Sequence, residues 1–550
     1  MNKIKAFLNR HQISSSLLIF LIAGYQATIL NLAYYKQILL RLDIGIFNNA
    51  LFFFTMPLVI FCVITIVLNF FIFPRLIKLV GMIFILVGAP LTYFMSTFSI
   101  MIDREMIQNV LDTNQAESAA LLTPTLIGYI FFLGVIPAIL VLLIKIKPVK
   151  NWGFYLLRRF ISIALAVGVI LIIAAFFYKD YAAFMRNNHG VIKYITPSNY
   201  IAATYNQYDY QKTKNLPFIT IGEDVTKKPL PASEKKTLMF LVLGETSRAQ
   251  NFSLNGYEKQ TNPLLSQRQD IIYFKDTSSC GTATAYSLPC MFSNMPRVDY
   301  DGKLANRQSN VLDMLKQAQV NVLWRDNDGG CKGVCDRIEY EDMTAKNNPK
   351  YCQNGVCYDD TLFDGLEDKI TTQSKQDNLI ILHTIGSHGP TYYQRYPDEF
   401  KRFTPTCDTN EINNCDEQSL VNTYDNTIVY VDYIVNKTIE FAKQYQDEYN
   451  VVVMYMSDHG ESLGENGIYL HSMPYSVAPE GQTTVPFLLW FSEGYQKQYA
   501  LNNQCLEKLS QEKQFSQDNV FHSLLGIFNM DTSEYQKSLD ILQTCQSIQE

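Results

Sequence analysis

Unbroken apolar stretches about twenty residues long dominate the first third of the chain, and short apolar runs separated by polar, helix-like segments dominate the rest. The long stretches are Ser14 to Leu32, Leu51 to Phe73, Leu79 to Thr97, Leu126 to Ile144 and Phe160 to Tyr178. A helix needs roughly 20 apolar residues to cross the hydrocarbon of a bilayer, so the pattern predicts five transmembrane helices. The first is not a removable leader: it is long, has no clear small-residue cleavage site and is followed by four more. After residue 200 the runs are Thr237 to Leu243, Val320 to Trp324, Leu379 to Leu382, Val451 to Met456 and Val485 to Trp490. Continuous apolar strands alternating with helical patterns predict an α/β domain whose mainly parallel sheet is covered on both faces.

Charge follows the same division. Residues 1 to 180 carry 14 Lys+Arg against 6 Asp+Glu, and the remaining 370 carry 32 against 46. A single soluble globule, a disordered chain and a nucleic-acid binder are thereby excluded, because the cations follow oily segments rather than forming a patch. Lys3, Lys5, Arg10, Arg75, Lys78, Lys145, Lys147, Lys150, Arg158 and Arg159 lie at one set of connections, and only Lys36, Arg41, Arg104 and Lys179 at the other. The cation-rich side is cytoplasmic, so the N-terminus is inside and an odd number of spans exports everything after Tyr178. The expected organisation is a transmembrane domain over 1–180, a bridging helix and linker over 181–236 rich in tyrosine, and a catalytic domain over 237–550.

Cysteine use agrees with export. Cys62 lies in a span, while the other ten fall after residue 279 in pairs: Cys280 with Cys290, Cys331 with Cys335, Cys352 with Cys357, Cys407 with Cys415 and, more distant, Cys505 with Cys545. An even set of cysteines in an oxidising compartment reads as five disulfides. Cys331, Cys335, Cys352 and Cys357 offer a structural zinc site as the alternative.

Three apolar runs end in chemistry. The first leads into Gly244-Glu245-Thr246-Ser247-Arg248, the third into His383-Thr384-Ile385-Gly386-Ser387-His388, and the fourth into Ser457-Asp458-His459-Gly460-Glu461. Ligand sites of open α/β sheets lie beyond the carboxyl ends of the strands. Glu245, His388, Asp458 and His459 are thus expected at one rim, as oxygen and nitrogen ligands suited to zinc. Of seven histidines, His383 sits inside an apolar run and reads as a core residue, His522 as structural, and His388 and His471 as loop contacts to substrate or a second metal. The segment from Ser279 to Cys290 brings hydroxyls to the start of a predicted helix, whose free N–H groups attract phosphate. A metal beside a threonine there would favour its alkoxide. The pattern does not choose between Thr282 and Thr284.

Taken together, Gly244-Glu245-Thr246-Ser247-Arg248, the stretch CGTATAYSLPCMF from Cys280 to Phe292, Ser387-His388-Gly389-Pro390 and Ser457-Asp458-His459-Gly460-Glu461-Ser462, behind five spans, resemble the lipid A phosphoethanolamine transferases of the Gram-negative inner membrane. The mobile colistin-resistance enzymes belong to that group. The resemblance covers essentially the whole chain and implies an alkaline-phosphatase-like catalytic domain in the periplasm. It implies Thr284 as nucleophile and Glu245, Thr284, Asp458 and His459 as zinc ligands. It gives His388 and His471 to substrate, a second zinc or leaving-group protonation, and Asn327 and Lys332 to the phosphate. It also gives meaning to Asn109, Thr113 and Glu117, which steps of four place on one face of a helix, as contacts to the ethanolamine headgroup. The implied reaction moves phosphoethanolamine from phosphatidylethanolamine to lipid A phosphate through a phosphothreonine, and confers polymyxin and colistin resistance. A monomer is expected. Alternatives are transfer to core sugar, a phosphoglycerol transferase and, from another class, a non-catalytic membrane receptor or scaffold. A sulfatase is disfavoured because no C/S-x-P-x-R surrounds the nucleophile region.

Overall fold

The structure, a computed structural model, describes residues 12–546 except 72, 114, 214–215, 230–233, 354–355 and 372–375, and the side chains of 115–117, 189 and 371 are likewise outside it. Lys3, Lys5 and Arg10 of the expected cytoplasmic set therefore lie outside the described residues. The chain forms two compact units, one from the chain up to Ile107 with Leu122–Asn206, the other from Gln108–Leu121 with Gln207 onward.

In the first unit, among the described residues, five helices are long and apolar enough to cross a membrane: Ser15–Leu39, Phe47–Phe70, Pro74–Thr97, Pro124–Leu143 and Trp152–Asn187. The first starts at Ser14, whose hydroxyl accepts the Leu17 N–H at 3.1 Å, and continues past Leu32 through a single 3-10 turn. Asn31 stands at that turn, with its amide donating to the Gln26 and Thr196 carbonyls. A polar side chain inside a helix bundle needs such partners because lipid supplies none. The fifth helix has 36 residues. At 1.5 Å per residue it is about 54 Å long, against a hydrocarbon layer of about 30 Å, so it continues well past Tyr178, where the apolar run ends.

The second unit is built on a seven-stranded sheet. Its strands, in chain order, are β1 (Lys236–Gly244), β2 (Ile271–Phe274), β3 (Asn321–Asp326), β4 (Glu339–Asp342), β5 (Asn378–His383), β6 (Tyr449–Ser457) and β7 (Phe487–Phe491), arranged β2-β7-β6-β1-β5-β3-β4. The five from β6 to β4 run parallel. Every residue of β5 and β6, and of β1 from Thr237 on, is buried, which is why these strands read as continuous apolar runs rather than alternating ones.

Two features differ from the sequence expectation. The last apolar run forms β7, antiparallel to β6, with β2 antiparallel to it in turn; an unbroken apolar strand carries no mark of its direction. The edge strand β4, Glu-Tyr-Glu-Asp, is largely exposed and has no apolar run to reveal it. A 27-residue helix, α2 (Glu417–Lys443), lies against β1 and β6. Asp416 caps it by accepting the Ser419 N–H at 2.9 Å.

All five expected cysteine pairs are disulfide-bonded. Cys280 is joined to Cys290, Cys331 to Cys335, and Cys352 to Cys357. Cys407 is joined to Cys415, which closes the loop just before α2, and Cys505 to Cys545, which ties the C-terminal segment back across 40 positions. With Cys331, Cys335, Cys352 and Cys357 oxidised, the four thiolates a structural zinc would need are absent and that alternative falls. Cys62 is the free cysteine among the described residues and is buried in its span.

Candidate functional site

The parallel register brings four strand ends level. Ser457 pairs with Gly244, Leu243 with His383, and His383 with Asp326. Glu245 follows β1 directly and Asp458-His459 follow β6, so neighbouring strands deliver them to one edge. Thr284 is the first residue of α1 (Thr284–Met291), which the bond between Cys280 and Cys290 ties to the loop before it.

These side chains converge in full burial. Thr284 Oγ1 donates to Glu245 Oε2 at 3.0 Å and lies 3.4 Å from His459 Nε2. His459 Nε2 is 3.5 Å from Glu245 Oε1 and 3.4 Å from Asp458 Oδ2. Ligand atoms about 2.1 Å from a tetrahedral zinc lie about 3.4 Å from one another, so these spacings suit a metal ion. His459 Nδ1 is fixed by the Gly460 carbonyl at 2.9 Å, which turns Nε2 toward the carboxylates, the usual way a ligating imidazole is oriented. Among the described residues Glu245 Oε1 and Asp458 Oδ2 have no hydrogen-bond partner although fully buried. Such atoms are expensive unless something positive meets them. Burial, and then the Asp458 carboxylate, push the proton affinity of Glu245 well up, and burial lowers His459 to about 4. The neutral imidazole is a ligand, and a divalent cation beside the Glu245 carboxylate would oppose the upward push of burial and of Asp458. Glu245, Asp458 and His459 therefore form a cluster able to hold a metal.

The loops around the cluster are braced. Asp458 N–H donates to the Gly244 carbonyl. Gln517, buried, donates to the Ser457 and Asp458 carbonyls at 2.8 and 2.7 Å and accepts the Cys280 N–H at 2.6 Å, so one side chain ties the Asp458 loop to the Thr284 loop. Gly386, at φ +48°, comes so near that a Cβ there would sit 2.6 Å from the Glu245 carbonyl. Gln517 carries no sequence signal, since it lies 237 positions from Cys280.

The remaining expected site residues divide. The His388 and His471 rings are 5.6 Å apart, and His471 lies 4.6 Å from His459. His471 Nδ1 meets Glu461 Oε1 at 3.2 Å. Burial lowers the proton affinity of His471, but Glu461 outweighs it and the net direction is up; burial drives His388 well down. Thr282 turns its hydroxyl to the Met473 carbonyl instead of the cluster. Asn109 reaches this region, donating to Ser472 Oγ at 2.9 Å. Asn327 does not face the cluster openly: its amide is committed to Asp359 at 2.8 Å and the Cys357 carbonyl at 3.1 Å. Asp359 in turn accepts the Ile385 and Gly386 N–H groups, so Asn327 acts on the loop leading to His388. Lys332 is half-buried, with φ +52°, and close enough to His388 to lower its proton affinity.

One expectation needs correction. Asn109, Thr113 and Glu117 do not share one continuous helix, because the helix Arg104–Asp112 ends before Thr113 and a separate one spans Gln115–Leu121. Thr113 returns its hydroxyl to the Asn109 carbonyl, a side-chain bond that competes with the backbone hydrogen bonds of a continuing helix. The Glu117 side chain lies outside the described residues. His383 is buried as expected of a core residue, yet its neighbours are Asp326 and Asp328. These carboxylates escaped notice although the Asp-Asn-Asp that begins at Asp326 follows an apolar run just as Glu245 and Asp458 do.

Comparison with known proteins points one way. A family described as phosphoethanolamine transferase EptA/EptB matches residues 60–212, and one described as sulfatase matches 237–530. Phosphoethanolamine transferase EptA of Escherichia coli strain K12 is 51% identical over 548 residues, covering 100% of both chains. Phosphatidylethanolamine transferase Mcr-1 of Escherichia coli is 36% identical over 88% of this chain and 90% of its own. Among solved structures, the integral membrane lipooligosaccharide phosphoethanolamine transferase A (EptA) of Neisseria meningitidis superposes with TM-score 0.93 at 41% identity, covering 98% of this chain and 100% of that one.

Proposed function

The chain belongs to the phosphoethanolamine transferase family, and from that premise we propose that it carries phosphoethanolamine from phosphatidylethanolamine to a phosphate of lipid A by way of a covalent intermediate on Thr284. It is a multi-pass inner-membrane protein with its catalytic domain in the periplasm. Both substrates are membrane lipids, which is why the catalytic domain is tethered to spans.

In this reading Glu245, Thr284, Asp458 and His459 hold zinc, which when bound supplies positive charge that favours the threonine alkoxide and offsets charge on the phosphate. The Thr284 hydroxyl proton, directed at Glu245 Oε2, is released to solvent as the alkoxide forms, and His471 takes a proton back from solvent after it has protonated the leaving oxygen. The threonine oxygen then attacks phosphorus, the bond from phosphorus to the diacylglycerol oxygen breaks, and phosphoethanolamine stays on Thr284. An oxygen of the lipid A phosphate attacks the same phosphorus and the threonine oxygen departs. His471, braced by Glu461 through Nδ1, carries at its other ring nitrogen the proton that the diacylglycerol oxygen takes up. His388, neutral, lines the phosphate position with Lys332. The N–H groups at the start of α1 face the phosphate oxygens. Asn109, Thr113 and Glu117 meet the ethanolamine headgroup.

The observation that carries this reading is the pair of contacts from Thr284 Oγ1, to Glu245 and to His459, while Thr282 is engaged elsewhere. An added ethanolamine ammonium offsets a lipid A phosphate charge, so cationic peptides such as polymyxin and colistin bind the surface less well. Expression in a susceptible Gram-negative host followed by mass spectrometry of lipid A tests it. The wild type should add one phosphoethanolamine and raise polymyxin tolerance, and Thr284→Ala should do neither. An unmodified lipid A with active wild type refutes the acceptor; modification by Thr284→Ala refutes the nucleophile.

A further inference from the structure

A second group of ligand-type atoms lies beside the first and shares Glu245 with it, and the reaction above makes no use of its other two members, Asp328 and His383. Glu245, Asp328 and His383 each present one atom, all within 4.8 Å of one another, and all three residues are buried. His383 closes β5, and its side chain has no exposure. Its Nδ1 meets Asp326 Oδ1 at 2.6 Å. Asp326 is itself held, by the Gly330 N–H at 2.7 Å and the Trp324 indole at 3.3 Å. A proton on Nδ1 satisfies that carboxylate and leaves Nε2 as a bare acceptor. Among the described residues Nε2 has no hydrogen-bond partner, and it looks toward Asp328 Oδ2, 3.7 Å away. Glu245 Oε1 is also without a hydrogen bond.

A carboxylate that fixes one imidazole nitrogen while the other is left bare is the arrangement by which ligating histidines are aimed. One imidazole with two carboxylates suits a divalent cation of the zinc or manganese class. We propose that Glu245, Asp328 and His383 form a second site for such an ion, that Glu245 is shared between this site and the cluster at Thr284, and that Asp326 is the positioning residue for His383. Ligand atoms around zinc stand about 3.4 Å apart, so binding draws Asp328 and Glu245 inward. The competing arrangement, an imidazolium clamped between Asp326 and Asp328, needs no ion.

The test uses the full chain in detergent, stripped with chelator and dialysed against buffered zinc, and in a parallel sample against manganese. Bound metal per chain is measured by plasma mass spectrometry, and its position by anomalous scattering from crystals soaked in zinc alone. The wild type should hold one ion more than His383→Asn and one more than Asp328→Asn, with an anomalous peak within reach of His383 Nε2, Asp328 and Glu245. Equal metal content in the wild type and both variants, or no peak at that position, overturns the proposal. Should His383→Asn fail to fold, Asp328→Asn decides alone. The two sites share only Glu245, so His459→Asn separates them: loss of the ion at Thr284 with the His383 ion retained bears on the first site and leaves the second standing.

Discussion

Replacing Gln517 by leucine keeps the volume and removes a buried side chain that ties the Asp458 loop to the Thr284 loop. Three buried backbone groups lose their partner: the Ser457 carbonyl, the Asp458 carbonyl and the Cys280 N–H. A buried polar group left unmade costs about 1 to 3 kcal/mol, and since a carbonyl can keep part of its satisfaction elsewhere, the three together should cost roughly 3 to 6 kcal/mol. With an unfolding entropy of about 2.1 cal/mol/K per residue over the roughly 350 residues of this unit, that corresponds to a Tm lower by about 4 to 8 °C. The effect should extend to metal, because Asp458 would no longer be held against Glu245; loss of an outer partner of a ligand weakens binding by about 10 to 100-fold. Differential scanning calorimetry of the full chain in detergent, together with competition against a zinc chelator, measures both. A Gln517→Leu protein with wild-type Tm and wild-type zinc affinity would refute the reasoning that this amide positions the site.

Other perturbations probe separate parts of the account. Burial raises the Asp432 carboxyl to about 7 while Leu264 and Leu265 N–H groups oppose the rise. The folded chain then keeps a proton that the unfolded chain releases between about pH 4 and 7, so this group's contribution to stability is present below pH 4 and lost as pH rises through 7. Tm should therefore decline from pH 5 to 8 more steeply in the wild type than in Asp432→Asn, and parallel curves would contradict the assignment. Asn109→Ala removes a proposed contact to the ethanolamine headgroup, and loss of one hydrogen bond worth about 1 kcal/mol, roughly fivefold, should raise KM for phosphatidylethanolamine with little change in kcat. Glu117→Gln should raise the same KM by a similar factor, since it removes a carboxylate proposed to meet the ammonium; an unchanged KM in labelled-lipid assays would remove Glu117 from the headgroup site.

How much of this site can be read from the sequence follows from where each residue sits on the sheet. Glu245, Asp458 and His459 are legible because parallel strands end at one edge, so the residue after each apolar run lands beside the others. The same logic reaches Asp326 and His383, but His383 belongs to the apolar run itself and reads as core until the neighbouring β3 end places Asp326 against it. Thr282 and Thr284 are two residues apart in one hydroxyl-rich loop, and only the fold of that loop turns one to Met473 and the other to Glu245. Gln517 is invisible because its three partners come from distant segments. The cysteine pairs are legible because four of the five close loops of ten residues or fewer, which leaves Cys505 and Cys545 to each other. The spans are legible from length and hydropathy, whereas the helix break before Thr113 depends on local side-chain competition that a step-of-four pattern does not register.

The central claim is that Thr284 becomes covalently attached to phosphoethanolamine. Incubating the full-length protein with phosphatidylethanolamine and no acceptor, then measuring intact mass and mapping the modified peptide, tests it most directly. The account predicts a mass increase of one phosphoethanolamine located on Thr284, absent in Thr284→Ala and discharged when lipid A is added. Transfer to lipid A by a protein that never carries this group, or that carries it on another residue, would contradict it.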